Sequence, residues 1–178
     1  MKKLSPQMIA YLSLLIALEI VFTRFLAIAT PIVRISFTFI PVAICGMMFG
    51  PGWTALASVI ADLLGMLLFN TQGSAFHLGI TLNAALTGMV YGIFLYNKTN
   101  LTHRHCLIPV SINRFIIGLG IQSYWLAGMQ GIPYLTCVVS RIPSTLLLFA
   151  VHLITIPYLL KLVNKILESN PNRTVVGR

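Results

Sequence analysis

Acidic residues are almost missing from this chain. Glu19, Asp62 and Glu168 are the only carboxylates among 178 residues, against twelve lysines and arginines. So few acids leave no carboxylate cluster to hold a divalent metal or to divide general acid and base roles between neighbours. Nor is there a GxxxxGK[ST] phosphate loop, an HExxH, a GxSxG or a Cys-x-x-Cys, which removes ATP hydrolysis by that route and the commoner hydrolytic and redox chemistries. The three cysteines, Cys45, Cys106 and Cys137, stand far apart and are read as small buried apolar residues rather than a disulfide or metal framework. No metal, cofactor or catalytic residue is expected, and the chain is not read as an enzyme.

What is abundant is apolar surface. Hydrophobic residues make up 57% of the chain, charged residues 8%, and the mean hydropathy is +0.90, values outside the range of soluble domains. In a soluble protein the net charge of +9 would suggest nucleic acid. Here the basic residues gather at the ends of apolar runs, where they set topology and meet lipid headgroups, so nucleic-acid binding is excluded.

Apolar runs at 7–28, 35–50, 53–70, 76–97, 107–128 and 133–164 predict an all-α membrane protein of six transmembrane helices. They are punctuated by Thr30-Pro31, Gly50-Pro51-Gly52, 70–73, 98–105 and 128–133. The second and third runs are short, and the Gly-Pro-Gly turn between them suggests a tight hairpin. The first run is as long as a membrane span, so it is read as a retained helix despite a signal-like start at Lys2 and Lys3. Residues 1–167 form one substrate-binding domain in this reading, and 168–178 a polar tail. Lys2, Lys3, Lys98, Arg104, Lys161, Lys165, Arg173 and Arg178 all fall on one side of an even number of spans, which makes that side, with both termini, cytoplasmic. The Asn-x-Thr triplets at Asn97, Asn100 and Asn172 then face inward, away from glycosylation.

Four basic residues break the pattern. Arg24, Arg34, Arg114 and Arg141 lie within the apolar runs or on the outer side, where an arginine costs about 2.5–3.5 kcal/mol to insert. Only Glu19 and Asp62 oppose them, so two guanidinium groups lack a carboxylate partner. A small dianion would balance them in bidentate fashion; snorkelling to headgroups or backbone carbonyls is the competing account. Arg24 and Arg34 flank the first outer connection, and Arg141 lies about two turns into the last helix. Arg114 lies deeper, where a structural ion pair with Asp62 competes with ligand contact.

Around the same outer ends sit Phe37, Phe76, His77, Tyr124 and Trp125, with Thr71 in the third connection. They are candidates to hold a flat polar ligand, against the alternative of an interfacial aromatic belt. Thr81 and Asn83 are further polar candidates. Small residues repeat every four positions at Ala84, Gly88 and Gly92 and at Ala57, Ala61 and Gly65, a spacing that lets helices approach closely in lipid. Ser13 and Ala17 repeat it on the first helix, where a partner helix could dock.

The ordered series Thr23-Arg24-Phe25-Leu26-Ala27-Ile28, Thr30-Pro31-Ile32-Val33-Arg34-Ile35-Ser36-Phe37, Ile40-Pro41-Val42-Ala43, Phe49-Gly50-Pro51, Ala61-Asp62-Leu63-Leu64-Gly65 and Ala84-Ala85-Leu86-Thr87-Gly88 resembles the substrate-binding S components of energy-coupling factor (ECF) vitamin importers. The folate-specific branch is the nearest in pattern. The resemblance is good over 9–97 and looser over Trp125 to Arg141 and the last helix. It implies a six-helix S-component fold holding folate near the outer face, and a complex with a transmembrane coupling protein and two cytoplasmic ATPases, toppling to release its cargo inward. A pterin and a glutamate tail would match the aromatic and arginine candidates. Two positions depart from the family pattern: the Ala-x-x-x-Ala docking element appears only as Ser13 to Ala17, and the third connection reads Phe69-Asn70-Thr71-Gln72-Gly73. An S component for another vitamin or nucleobase-like compound, and a non-transport membrane protein, are the alternatives.

Overall fold

The computed structural model describes residues 6–29, 34–68, 78–96 and 103–169, with side chains over 6–27, 36–68, 78–96 and 106–163. Its elements are α1 (Pro6–Arg24), a ladder of β1 (Ile28–Ala29) and β2 (Arg34–Ile35), α2 (Phe39–Leu68), α3 (Leu78–Leu95), α4 (His103–Ser111), a π-helical stretch (Ile112–Ile121), α5 (Gln122–Gln130) and α6 (Tyr134–Ser169). Among the described residues, five helical segments are long and apolar enough to cross a membrane: Pro6–Arg24, Phe39–Leu68, Leu78–Leu95, Cys106–Gln130 and Tyr134–Val163.

Helix α1 begins at Pro6, a residue suited to a first helical turn because its missing N–H needs no partner there. Met8, Leu12 and Glu19 are buried along one face, while Leu14, Leu18 and Val21 are exposed, as befits a helix with lipid on its other side. At its C-terminal end Thr23 Oγ1 lies 3.1 Å from Thr38 Oγ1, which lies 2.8 Å from Ser36 Oγ. The intervening chain pairs Ile28 with Ile35 and Ala29 with Arg34 in an antiparallel register.

The runs expected as separate helices at 35–50 and 53–70 are one element, α2, broken only at Gly50 (φ 81°, ψ −179°). That backbone region is open essentially to glycine alone, and Pro51 follows as the first residue of the next limb, where its fixed φ suits helix entry. The break is a reversal. Thr38, just before α2, touches Thr23, and a Cβ placed on Gly65, near the other end of α2, would lie 2.9 Å from Arg24 Nε. Both ends of α2 therefore sit beside the C-terminus of α1. A straight helix of 30 residues would instead hold its ends about 45 Å apart.

Helix α3 seals this hairpin. A Cβ on Gly92 would fall 2.3 Å from Pro51 Cα, and one on Gly88 2.8 Å from the Thr54 carbonyl oxygen. The four-residue repeat thus packs the chain against itself. The first limb of α2 then supplies Phe39, Val42, Ala43 and Met47 to a core completed by Tyr91 and Leu95 from α3, Cys106 and Val110 from α4, and Ile156 and Leu160 from α6. A smaller cluster joins Met8 and Leu12 to Cys45, Met48, Phe49 and Ala57. All three cysteines are buried and free.

Cys106–Gln130 continues through the wider π turns at 112–121, a feature frequent at functional sites. It ends at Gly131 in the left-handed conformation, and α6 returns antiparallel.

Candidate functional site

The cavity that bears on the outer-end candidates has a volume of about 380 Å³ and is lined by Val59 of α2, Leu78, Gly79, Thr81, Leu82 and Ala85 of α3, and Trp125 of α5. Trp125 reaches it because Gly79 has no side chain: a Cβ there would meet the indole at 2.3 Å. A flat apolar wall with an indole on one side and a hydroxyl on the other suits a planar heterocycle.

That hydroxyl, Thr81 Oγ1, donates to Asp62 Oδ2 at 2.8 Å. One turn beyond Asp62 in α2 comes Gly65, over which the Arg24 guanidinium lies; its Nε is buried without a hydrogen-bond partner. Arg24 is thus related to the cavity through α2, one turn from the Asp62 that Thr81 meets, and its Nε has a hydrogen bond to spare. Across α5, Arg141 donates from Nη1 to Ser123 Oγ at 3.1 Å and from Nη2 to Gln122 Oε1 at 3.3 Å. This tie fixes α6 to the segment that carries Tyr124 and Trp125, whose rings meet edge-on with centroids 5.5 Å apart. Tyr124 itself is exposed, as is Phe37, whose ring lies 6.2 Å from that of Phe39.

The candidates thus divide. Trp125 lines the cavity; Arg24 lies over Gly65, one turn from the Asp62 that Thr81 meets; Arg141 and Tyr124 are linked to the cavity through α5; Phe37 lies near Phe39. Arg34 is placed by its backbone in the ladder, and its side chain lies outside the described residues, as do Thr71, Phe76 and His77. Ser13 and Ala17 are exposed on α1.

The expected Asp62–Arg114 couple does not form. Asp62 takes its hydrogen bond from Thr81, whereas Arg114 Nη2 donates to His152 Nε2 of α6. A guanidinium can only donate, so the imidazole nitrogen must accept. The two residues were matched by depth along their helices, and depth leaves the direction around each helix undetermined. Glu19 is likewise met by a hydroxyl, Ser58 Oγ at 3.5 Å, rather than by an arginine. In a double-mutant cycle read by thermal melting in detergent, neutral substitutions at Asp62 and Arg114 should therefore be additive within about 0.5 kcal/mol, while Arg114 and His152 should couple by about 0.5–3 kcal/mol. Coupling of the first pair and additivity of the second would contradict the observed contacts.

Gly79, Gly65 (read from the sequence only as a packing residue) and His152 are the positions whose roles the sequence did not reveal. The first two have a signal, a small residue facing a large polar or aromatic one across a helix pair. His152 has no comparable signal, since equal counting from the turn at Gly131 sets Leu148 rather than His152 opposite Arg114.

Comparison with known proteins agrees with this architecture. The profile of the ECF transporter substrate-specific component matches residues 7–171. A folate transporter FolT from Clostridium novyi is 38% identical over 93% of this chain and 94% of its own length. FolT from Leuconostoc mesenteroides is 25% identical over 84% of the chain and 82% of its own. A crystal structure of FolT bound with folic acid superposes with a TM-score of 0.81 at 36% identity, covering 87% of this chain and 93% of that one. With its apolar helices, this is a multi-pass protein of the cell membrane, and it belongs to the family of ECF transporter substrate-specific components.

Proposed function

We propose that this chain is the membrane-embedded folate-binding subunit of an ECF importer. The observation that carries the reading is its likeness, over most of both chains, to a FolT solved with folic acid. The cavity beside Trp125 supplies a flat wall for the pterin, and Arg24 supplies, for a glutamate carboxylate, a guanidinium whose Nε is without a partner. Arg34, Arg141, Tyr124, Phe37, Thr71, Phe76 and His77 complete the proposed binding set, on the strength of the sequence alone for those outside the described residues. The six-helix arrangement counts the two limbs of α2 separately and puts both termini in the cytoplasm.

Binding alone leaves a transmembrane equilibrium where it was. With no phosphate loop in this polypeptide, uphill transport falls to a transmembrane coupling protein and two ATPases, docked at the small residues Ser13 and Ala17. In proteoliposomes the complete complex with internal ATP should concentrate labelled folate, while the purified subunit alone should bind it stoichiometrically and accumulate none. Ala17→Trp should preserve binding and depress uptake, because close helix docking needs a small residue. ATP-independent accumulation by the subunit would defeat the coupling scheme; normal uptake by Ala17→Trp would defeat the docking assignment alone. Failure to bind folate, with binding of another vitamin, would reassign the cargo.

A further inference from the structure

Away from the Trp125 cavity, three elements bring together polar groups that the binding set proposed above leaves out. Asn113 and Arg114 sit at the start of the π-helical stretch, Tyr91 on α3 and His152 on α6. Tyr91 is 1% exposed, His152 2% and Asn113 8%, so all three are more than nine-tenths buried. The His152 ring stacks on Phe39 with centroids 3.5 Å apart, and its Nε2 is taken by Arg114. Tyr91 packs in one cluster with Phe39 and with Val110, three residues before Asn113 on the same continuous helix. The Tyr91 hydroxyl closes no hydrogen bond of normal geometry there: Tyr91 Oη, Asn113 Nδ2 and Asn113 Oδ1 all lack a partner. Around them the wall is apolar, formed by Val110, Leu95, Ile156 and Phe39.

An unpaired buried polar atom is costly, and a guanidinium at membrane depth without a counter-charge more so. Two unused donors, a hydroxyl and an amide N–H, belong to the same buried neighbourhood as that cation: Tyr91 packs with Phe39, whose ring meets His152, the partner of Arg114, and Asn113 precedes Arg114 in the chain. His152 supplies no negative charge, being the neutral acceptor of the Arg114 bond. We infer that Tyr91, Asn113 and Arg114 form a buried anion site. Its ligand is a small monovalent anion of halide or carboxylate type, held by the guanidinium charge and by the two neutral donors. The charge comes from a free halide or from a carboxylate of the cargo. The halide arm below stands without the folate reading and the carboxylate arm rests on it.

For the halide arm, the full-length subunit without folate is melted in detergent as chloride replaces gluconate at constant sodium. A saturable rise of about 5–10 °C is expected at a hundredfold excess over the dissociation constant. Tyr91→Phe, which deletes one donor, should move the midpoint to at least about tenfold higher chloride. Asn113→Asp places a carboxylate in the site; it should melt higher than the parent in gluconate and lose the chloride response. For the carboxylate arm, the affinity of folate is compared with that of pteroate, which lacks the glutamate. That ratio should fall at least about tenfold in Asn113→Asp, because the new charge repels the incoming one. A response in either arm that both variants alter identifies the source. Melting that is the same in chloride and gluconate, with an unchanged folate-to-pteroate ratio, would overturn the site, as would a chloride response persisting unchanged in Asn113→Asp. Tyr91→Phe carries the decision if Asn113→Asp does not fold. Absence of folate binding in the parent would remove the folate reading and leave the halide result to decide.

Discussion

Gly92→Ala should be among the most damaging single-methyl additions in this protein, lowering stability by about 3 kcal/mol or more. The new Cβ would lie 2.3 Å from Pro51 Cα and 2.8 Å from the Gly50 carbonyl carbon, both backbone atoms of the reversal in α2. A long side chain can swing aside, but a proline locked behind a left-handed glycine cannot, so the cost lies at or above the top of the usual 1–3 kcal/mol for overpacking. The result should appear as loss of folded protein after detergent extraction, or as a large fall in melting temperature. Gly52→Ala is the matched control: a Cβ there meets nothing within 4 Å, and alanine is the better helix former. A Gly92→Ala protein as stable as Gly52→Ala would mean that α3 does not press on the hairpin turn.

Arg24→Ala should weaken folate binding by about 1.5–3 kcal/mol, the range for hydrogen bonds to a charged group, or about ten- to 150-fold in dissociation constant. Pteroate should lose much less. Gly65 offers a second handle on the same group. Its missing side chain leaves the space where Arg24 Nε lies, and a Cβ at 2.9 Å would displace the flexible end of the arginine at little cost to packing. Gly65→Ala should therefore reproduce part of the affinity loss with a nearly unchanged melting temperature. Calorimetric titration of both variants with folate and pteroate measures the effect. Parental affinity in Arg24→Ala would end its role as a carboxylate clamp.

Much of the architecture is legible because a bilayer asks for little: an uninterrupted apolar length and a break where the chain must turn. The run at 7–28 became α1, which ends at Arg24, and that at 76–97 contains α3. Gly50-Pro51-Gly52 marked the reversal, since few other sequences allow φ 81° followed at once by helix. What could not be read was rotation about the helix axes. In a soluble helix the polar stripe reveals the outer face, but a membrane helix is apolar on both faces, so nothing in the runs told which neighbour Asp62 or Arg114 would meet. Hence Thr81 and His152, rather than each other, became their partners. The cavity was half legible. Trp125 stood out as an aromatic at a helix end, whereas Gly79, which admits it, carries no chemistry to notice.

The seating of Trp125 over Gly79 also has an optical consequence. The chain has two indoles: Trp125 forms part of the cavity wall, while Trp53 packs with the cluster around Met8 and Phe49, on the α1 side of the hairpin. A ring that forms the wall of a pocket exchanges excitation energy with whatever fills it, and an absorbing guest would quench its emission directly. The second indole, outside that wall, would change colour only if the packing of α1 against α2 shifted. Two fluorophores built into one small bundle thus separate occupancy from rearrangement, with no label added.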